Sequence, residues 1–196
     1  DRMRTWIIGS TSDYSKAVAD RCHGLTKFGR NNIDYGASFE AFIKKQEHLP
    51  NMIFMNIGVE EKLSVPHNAP DGDVRNMLME FSKTWLWKLR LYQWFNNNKI
   101  KCTICDVTST ITMWPANHAE HVHYAVERAM GQQIAMANNT DNLKIIQVSP
   151  NGITPERIDE YADKTVAWMN EPDHAVMHIV DLDNDMLVGL KRIPIE

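Results

Sequence analysis

Thr5-Trp6-Ile7-Ile8-Gly9-Ser10-Thr11-Ser12-Asp13 opens the chain with a strand-forming run, a glycine, and small hydroxyl residues leading into helical sequence. A strand that ends in glycine and gives way at once to a helix N-terminus gathers backbone N–H groups where an anion can approach. The pattern returns downstream. Met52-Ile53-Phe54-Met55 ends at Asn56-Ile57-Gly58, and Lys144-Ile145-Ile146-Gln147-Val148 ends at Ser149-Pro150-Asn151-Gly152-Ile153-Thr154. Between them an apolar segment runs into Thr108-Ser109-Thr110, and a strongly helical stretch then carries Tyr124-Ala125-Val126-Glu127-Arg128.

Short apolar runs alternating with longer amphipathic ones predict a parallel sheet covered by helices on both faces. Strands are expected near 4–9, 32–35, 51–56, 100–106, 143–149 and 175–181, and helices near 14–28, 38–48, 73–97, 118–138 and 155–170. Asp183-Asn184-Asp185 separates two further apolar runs and predicts a terminal hairpin.

With 196 residues and 43% hydrophobic content, the chain is long enough for one sizeable core, and residues 1–196 read as a single domain. A net charge of −4 supplies no attraction to nucleic acid or to an anionic membrane. Three cysteines, Cys22, Cys102 and Cys105, cannot all pair, and neither a membrane-spanning run nor a signal-peptide pattern is evident. The expected setting is soluble and cytoplasmic.

The order and spacing of the strand-end turns, together with Tyr124 four residues before a basic residue, resemble the short-chain dehydrogenase/reductase family over nearly the whole chain. The resemblance implies a Rossmann-like, three-layer α/β fold. It also implies a catalytic set of Ser109, Tyr124 and Arg128, with Thr108 or Thr110 as alternatives to the serine. A dinucleotide would meet Gly9, Ser10, Asp34, Asn56, Gly58 and Thr154.

The departures from the family are informative. Asn32 to Phe42 resembles the family's third strand and following helix, so the sheet is expected to be shortened by one strand-helix unit, with loss of the second strand's ribose contact. Asp13 and Ser15 occupy the later glycine positions; a carboxylate there would repel a diphosphate, although Asp13 also reads as a helix N-cap. Arg128 stands where the family has lysine and, staying protonated above a pKa of about 12, is poorly suited to proton relay. The family's asparagine on the preceding helix has no secure counterpart: the window reads Glu80-Phe81-Ser82, with Asn76 a turn early. Thr154-Pro155 reads equally as an N-cap followed by proline at the first helical position.

Other clusters carry less. His118, His121 and His123 do not share one helical face, so no metal site is expected; Cys102 and Cys105 fall on opposite sides of a strand and read as core thiols. Asp181, Asp183 and Asp185 lack the rest of a calcium loop, and Asn138-Asn139-Thr140 matches a glycosylation sequon without a secretory context.

Met77 to Phe95 is apolar around more of its circumference than a sheet-facing stripe requires. Self-association or docking to another protein through residues 77–95 and 118–138 follows, the face that commonly pairs in the family. These readings converge on a non-catalytic or catalytically altered module in an oligomer or larger assembly, such as a viral or virion component, with no cofactor expected. The alternative is an NAD- or NADP-dependent oxidoreductase acting on an alcohol or carbonyl with Tyr124 as acid/base.

Overall fold

The computed structural model describes residues 2–57, 66, 68–108, 120–137, 142–150, 153–171, 177–181 and 186–190; Glu120, residues 135–137 and the last two segments are described by their backbone alone. The strands are β1 (Thr5–Ile8), β2 (Leu25–Phe28), β3 (Met52–Met55), β4 (Cys102–Val107), β5 (Leu143–Ser149), β6 (Met177–Asp181) and β7 (Met186–Leu190). The helices are α1 (Asp13–Asp20), α2 (Phe39–Ile43), α3 (Asp71–Asn97), α4 (Glu120–Ala137) and α5 (Ile158–Met169). They form one α/β Rossmann-like unit with sheet order β2-β1-β3-β4-β5-β6-β7. All pairings are parallel except β6–β7, the expected terminal hairpin.

Strand side chains alternate between two cores because successive residues point to opposite faces. Ile53 and Met55 join Trp6, Ile8 and Ile104 under α2 and α3, whereas Met52 and Phe54 join Ile7, Ile146 and Val148 under α1 and α5. Trp6 anchors the first core edge-on to Phe28 and Phe42, with ring centroids 5.5 and 5.6 Å apart. In the second core, the Tyr14 hydroxyl of α1 hydrogen-bonds Thr165 of α5. Cys102 and Cys105 belong to the two different cores, as expected, and burial raises both thiol pKa values.

The N-terminal third departs from the sequence expectation. Helix α1 stops at Asp20, and residues 25–28, expected to extend that helix, form β2 beside β1. Gly24 makes this possible: its φ is +64°, a Cβ there would lie 2.1 Å from the Met3 carbonyl oxygen, and its own carbonyl accepts from Thr5 N at 3.0 Å. Residues 32–35 are not a strand, since the Asp34 carboxylate accepts from Gly36 N at 2.9 Å and closes a local turn. Helix α2 is only Phe39–Ile43, shorter than the expected 38–48. The sheet is shortened as expected, but the strand beside β1 is present.

Helix α3 buries Met77, Phe81, Trp87, Lys88, Leu91, Tyr92 and Phe95. Its surplus apolar surface includes Met79, 61% exposed, and Leu86, 54% exposed.

Candidate functional site

The first strand-end turn is built on Gly9. Its φ is +80°, and a Cβ there would lie 2.0 Å from the Asn56 carbonyl oxygen, so no larger residue fits without backbone movement. Gly9 N and Ser10 N both donate to the Phe28 carbonyl, at 2.9 and 3.3 Å, which binds the turn to the end of β2. The Asn56 side-chain amide donates to Ser12 Oγ and Ser15 Oγ, each at 3.1 Å, tying the end of β3 to the start of α1.

The N-cap of α1 is Ser12 rather than Asp13. Ser12 has extended backbone, and its Oγ accepts from Ser15 N at 3.1 Å, whereas Asp13 is already the first helical residue with an exposed side chain. Ser15 is fully buried and its hydroxyl turns toward Ser12 and Asn56, beneath the turn. The side-chain bulk expected from Ser15 therefore lies inside the fold, while Asp13 is exposed at the start of α1. Asp34 is held in its own exposed turn and does not end a strand. Gly58 lies outside the described residues.

At the other end of the crevice, Thr108 follows β4 and Ser149 ends β5. Their hydroxyl oxygens are 2.8 Å apart and both residues are buried. Arg128 reaches from α4 to donate from Nη2 to Ser149 Oγ at 3.0 Å, and its buried Nε has no partner among the described residues. Burial lowers the guanidinium pKa. Tyr124 precedes Arg128 by one turn and is half-buried, with its ring 5.3 Å from that of His123. Ser109 and Thr110 lie outside the described residues, and Tyr124 and Arg128 of the expected catalytic set lie one turn apart on α4. Thr154 is the N-cap of a short 3-10 turn, Pro155–Arg157, with proline following it.

Behind Arg128 lies a buried ionic cluster that sequence reading missed. Lys88 Nζ of α3 contacts Asp106 Oδ1 of β4 at 3.0 Å and Glu127 Oε2 of α4 at 2.7 Å. Burial opposes the Lys88 charge, but the two carboxylates outweigh it and raise its pKa. One ammonium between two carboxylates leaves Glu127 undercompensated: burial, against the pull of Lys88, pushes it up to about 8. His123 stacks on Phe81, with centroids 4.2 Å apart, and accepts from Trp85 Nε1 at Nδ1 at 2.7 Å. Burial first, and Lys88 second, carry its pKa down to about 3. It is thus a neutral core histidine; no metal-binding cluster occurs among the described residues.

The sequence reading passed over Arg30, two positions after β2. Its signal was present but hidden by reading residues 14–28 as one helix. The Gly9 turn, where only glycine is accommodated, lies at the end of β1 beside β2.

No family model and no curated protein matches the sequence. Solved structures do. Serine dehydrogenase from Escherichia coli aligns with a TM-score of 0.66 at 14% identity, over 95% of this chain and 98% of that one. A short-chain dehydrogenase from Burkholderia cenocepacia J2315 in complex with NADP aligns at 0.68 and 13%, over 90% and 87%. A 4-hydroxyisoleucine dehydrogenase complexed with NADH and succinate aligns at 0.62 and 13%, over 86% and 91%. The chain has the short-chain dehydrogenase/reductase fold.

Proposed function

We propose that this chain is a catalytically altered, dinucleotide-binding module that favours NADP over NAD and works in a self-associating unit. The observation that carries the reading is β2: it lies parallel to β1, its terminal carbonyl holds the Gly9 turn, and Arg30 follows it. The position just past that strand holds the ribose side of a dinucleotide, and arginine there suits a 2′-phosphate where a carboxylate would suit a bare hydroxyl. The expected absence of a cofactor rested on Asp13 and Ser15 in the glycine turn and on the loss of this strand.

The N-terminus of α1, reached across the Gly9 turn, would receive the diphosphate, with Asp13 weakening the fit, and Asn56 would keep the neighbouring strand end in place. When bound, the dinucleotide would supply or accept a hydride. Tyr124 would give or take the substrate proton at its hydroxyl. Arg128 can stabilise charge beside Tyr124 but, staying protonated, relays protons poorly. Slow turnover of simple alcohols and ketones follows.

Self-association is supported by exposed Met79 and Leu86 on α3 and Val122 on α4, 44% exposed; Met79 also lines a groove of about 460 Å³ with Asp71, Val74, Arg75, Leu78 and Ser82. A second copy of the chain is the occupant this reading takes.

Calorimetric titration of the full chain with NADPH and NADH tests the function. NADPH should bind at least about tenfold more tightly, and Arg30→Ala should remove most of the preference. No NADPH binding at millimolar concentration, or equal binding of NADH, sinks the proposal.

A further inference from the structure

We infer that β2 is a second contact between copies of this chain, pairing antiparallel with β2 of another copy about a two-fold axis so that two sheets run on as one. Within the described sheet β2 is the terminal strand and is bonded on one side only, to β1. Thr5 N donates to the Gly24 carbonyl at 3.0 Å and Gly9 N to the Phe28 carbonyl at 2.9 Å, so residues 24, 26 and 28 turn their backbone toward β1. By the same alternation the N–H and C=O groups of Leu25 and Lys27 point away from the sheet. Leu25, Thr26 and Lys27 are all exposed, and among the described residues nothing bonds those outward groups. The open stretch has a definite end. Gly29, next in phase, is closed by its own turn: its N–H donates to Asn32 Oδ1 at 2.8 Å and its carbonyl accepts from Asn32 N at 3.1 Å.

A second copy saturates this edge in one register. Leu25 opposite Lys27 of the second copy, and Lys27 opposite its Leu25, form hydrogen-bonded pairs that use every open group on both chains. Thr26 then faces Thr26 at the axis, a favourable cross-strand pair. A register that sets Lys27 against Lys27 opposes like charges and brings Leu25 onto Gly29, whose groups are already taken. One that sets Leu25 against Leu25 leaves Lys27 opposite His23, in the bend before β2. A lysine on an edge strand ordinarily discourages pairing. Here its aliphatic stem lies against Leu25 of the second copy, 39% exposed in the single chain, while the ammonium reaches water. The four-residue edge is too short for a self-sufficient interface, so it adds to the α3 face, and copies joined by both contacts assemble beyond a dimer. The edge contact itself rests neither on the α3 face nor on the dinucleotide.

The test first removes the α3 contact. In the full chain carrying Met79→Glu and Leu86→Glu, sedimentation velocity at up to about 1 mM should show a reversible monomer–dimer equilibrium. Adding Thr26→Glu or Thr26→Lys should each abolish the dimer, because like charges meet at the axis, and mixing the two variants should restore it as a one-to-one pair. Lys27→Pro, which removes an outward N–H and no bond to β1, should abolish it as well. Absence of a dimer in the Met79→Glu, Leu86→Glu chain overturns the assignment and leaves the edge to a different partner. A dimer unmoved by Thr26→Glu, or no restoration on mixing, overturns it equally. Should either Thr26 variant lose its folded circular-dichroism spectrum, hydrogen exchange in the chain with native Thr26 decides. The Leu25 and Lys27 amides should slow as concentration rises, and rates independent of concentration overturn the pairing.

Discussion

Raising the pH should loosen this fold through Glu127. The group faces Lys88 and the buried Tyr92 hydroxyl of α3, Asp106 of β4 and His123 of its own helix. Folded, it holds its proton to about pH 8; unfolded, it loses it near the ordinary 4.5. Across that window the folded chain binds more protons, so stability falls with rising pH at ~1.36 kcal/mol per pH unit. His123 acts in the opposite sense, since its pKa drops from 6.5 to about 3 on folding and the unfolded chain binds more protons between those values. The two contributions cancel from 4.5 to 6.5 and leave Glu127 alone from 6.5 to 8. The loss over that last interval is roughly 2 kcal/mol. Urea unfolding followed by tryptophan fluorescence across this range measures it. Glu127→Gln should flatten the slope between 6.5 and 8, and His123→Phe, which keeps an aromatic ring against Phe81, should let the decline begin near 4.5. Parallel wild-type and Glu127→Gln profiles between 6.5 and 8 would refute the reasoning.

Two further outcomes are expected. Gly9→Ala should destabilise the fold by more than about 2 kcal/mol in denaturant melts, because left-handed backbone and the contact with the Asn56 carbonyl act together. Met79→Glu with Leu86→Glu should lower the mass seen by light scattering while leaving the melting temperature within a few degrees; an unchanged mass would remove these residues from the contact.

Much of the scaffold was legible because it rests on periodicity. The alternation at Met52-Ile53-Phe54-Met55 assigns its side chains to two cores whatever lies around it, and Asp71–Asn97 is too long and regular to be anything but a helix. Residues 25–28 were not legible. Three of the four are exposed on an edge strand, so their pattern carries no buried face, and only the Gly24 backbone separates them from α1. At the site, Tyr124 and Arg128 could be read from a four-residue spacing. Lys88 could not: a lysine within an apolar helix ordinarily reaches for solvent, and its partners Asp106 and Glu127 lie 18 and 39 residues away.

The buried charges also act as an indexing pin for helix rotation. Neighbouring residues on an α-helix point about 100° apart, so holding Glu127 inward on Lys88 fixes where Arg128 must aim. From the sheet, Gln147 Nε2 grips the carbonyl oxygens of both residues, at 3.1 and 3.5 Å. An oily contact would let α4 roll by several degrees at little cost, whereas the short, directional hydrogen bond from the Lys88 ammonium to Glu127 resists the same travel. The outer face of α4 can consequently accumulate substitutions, and even change what it docks against, while the guanidinium keeps its bearing on Ser149.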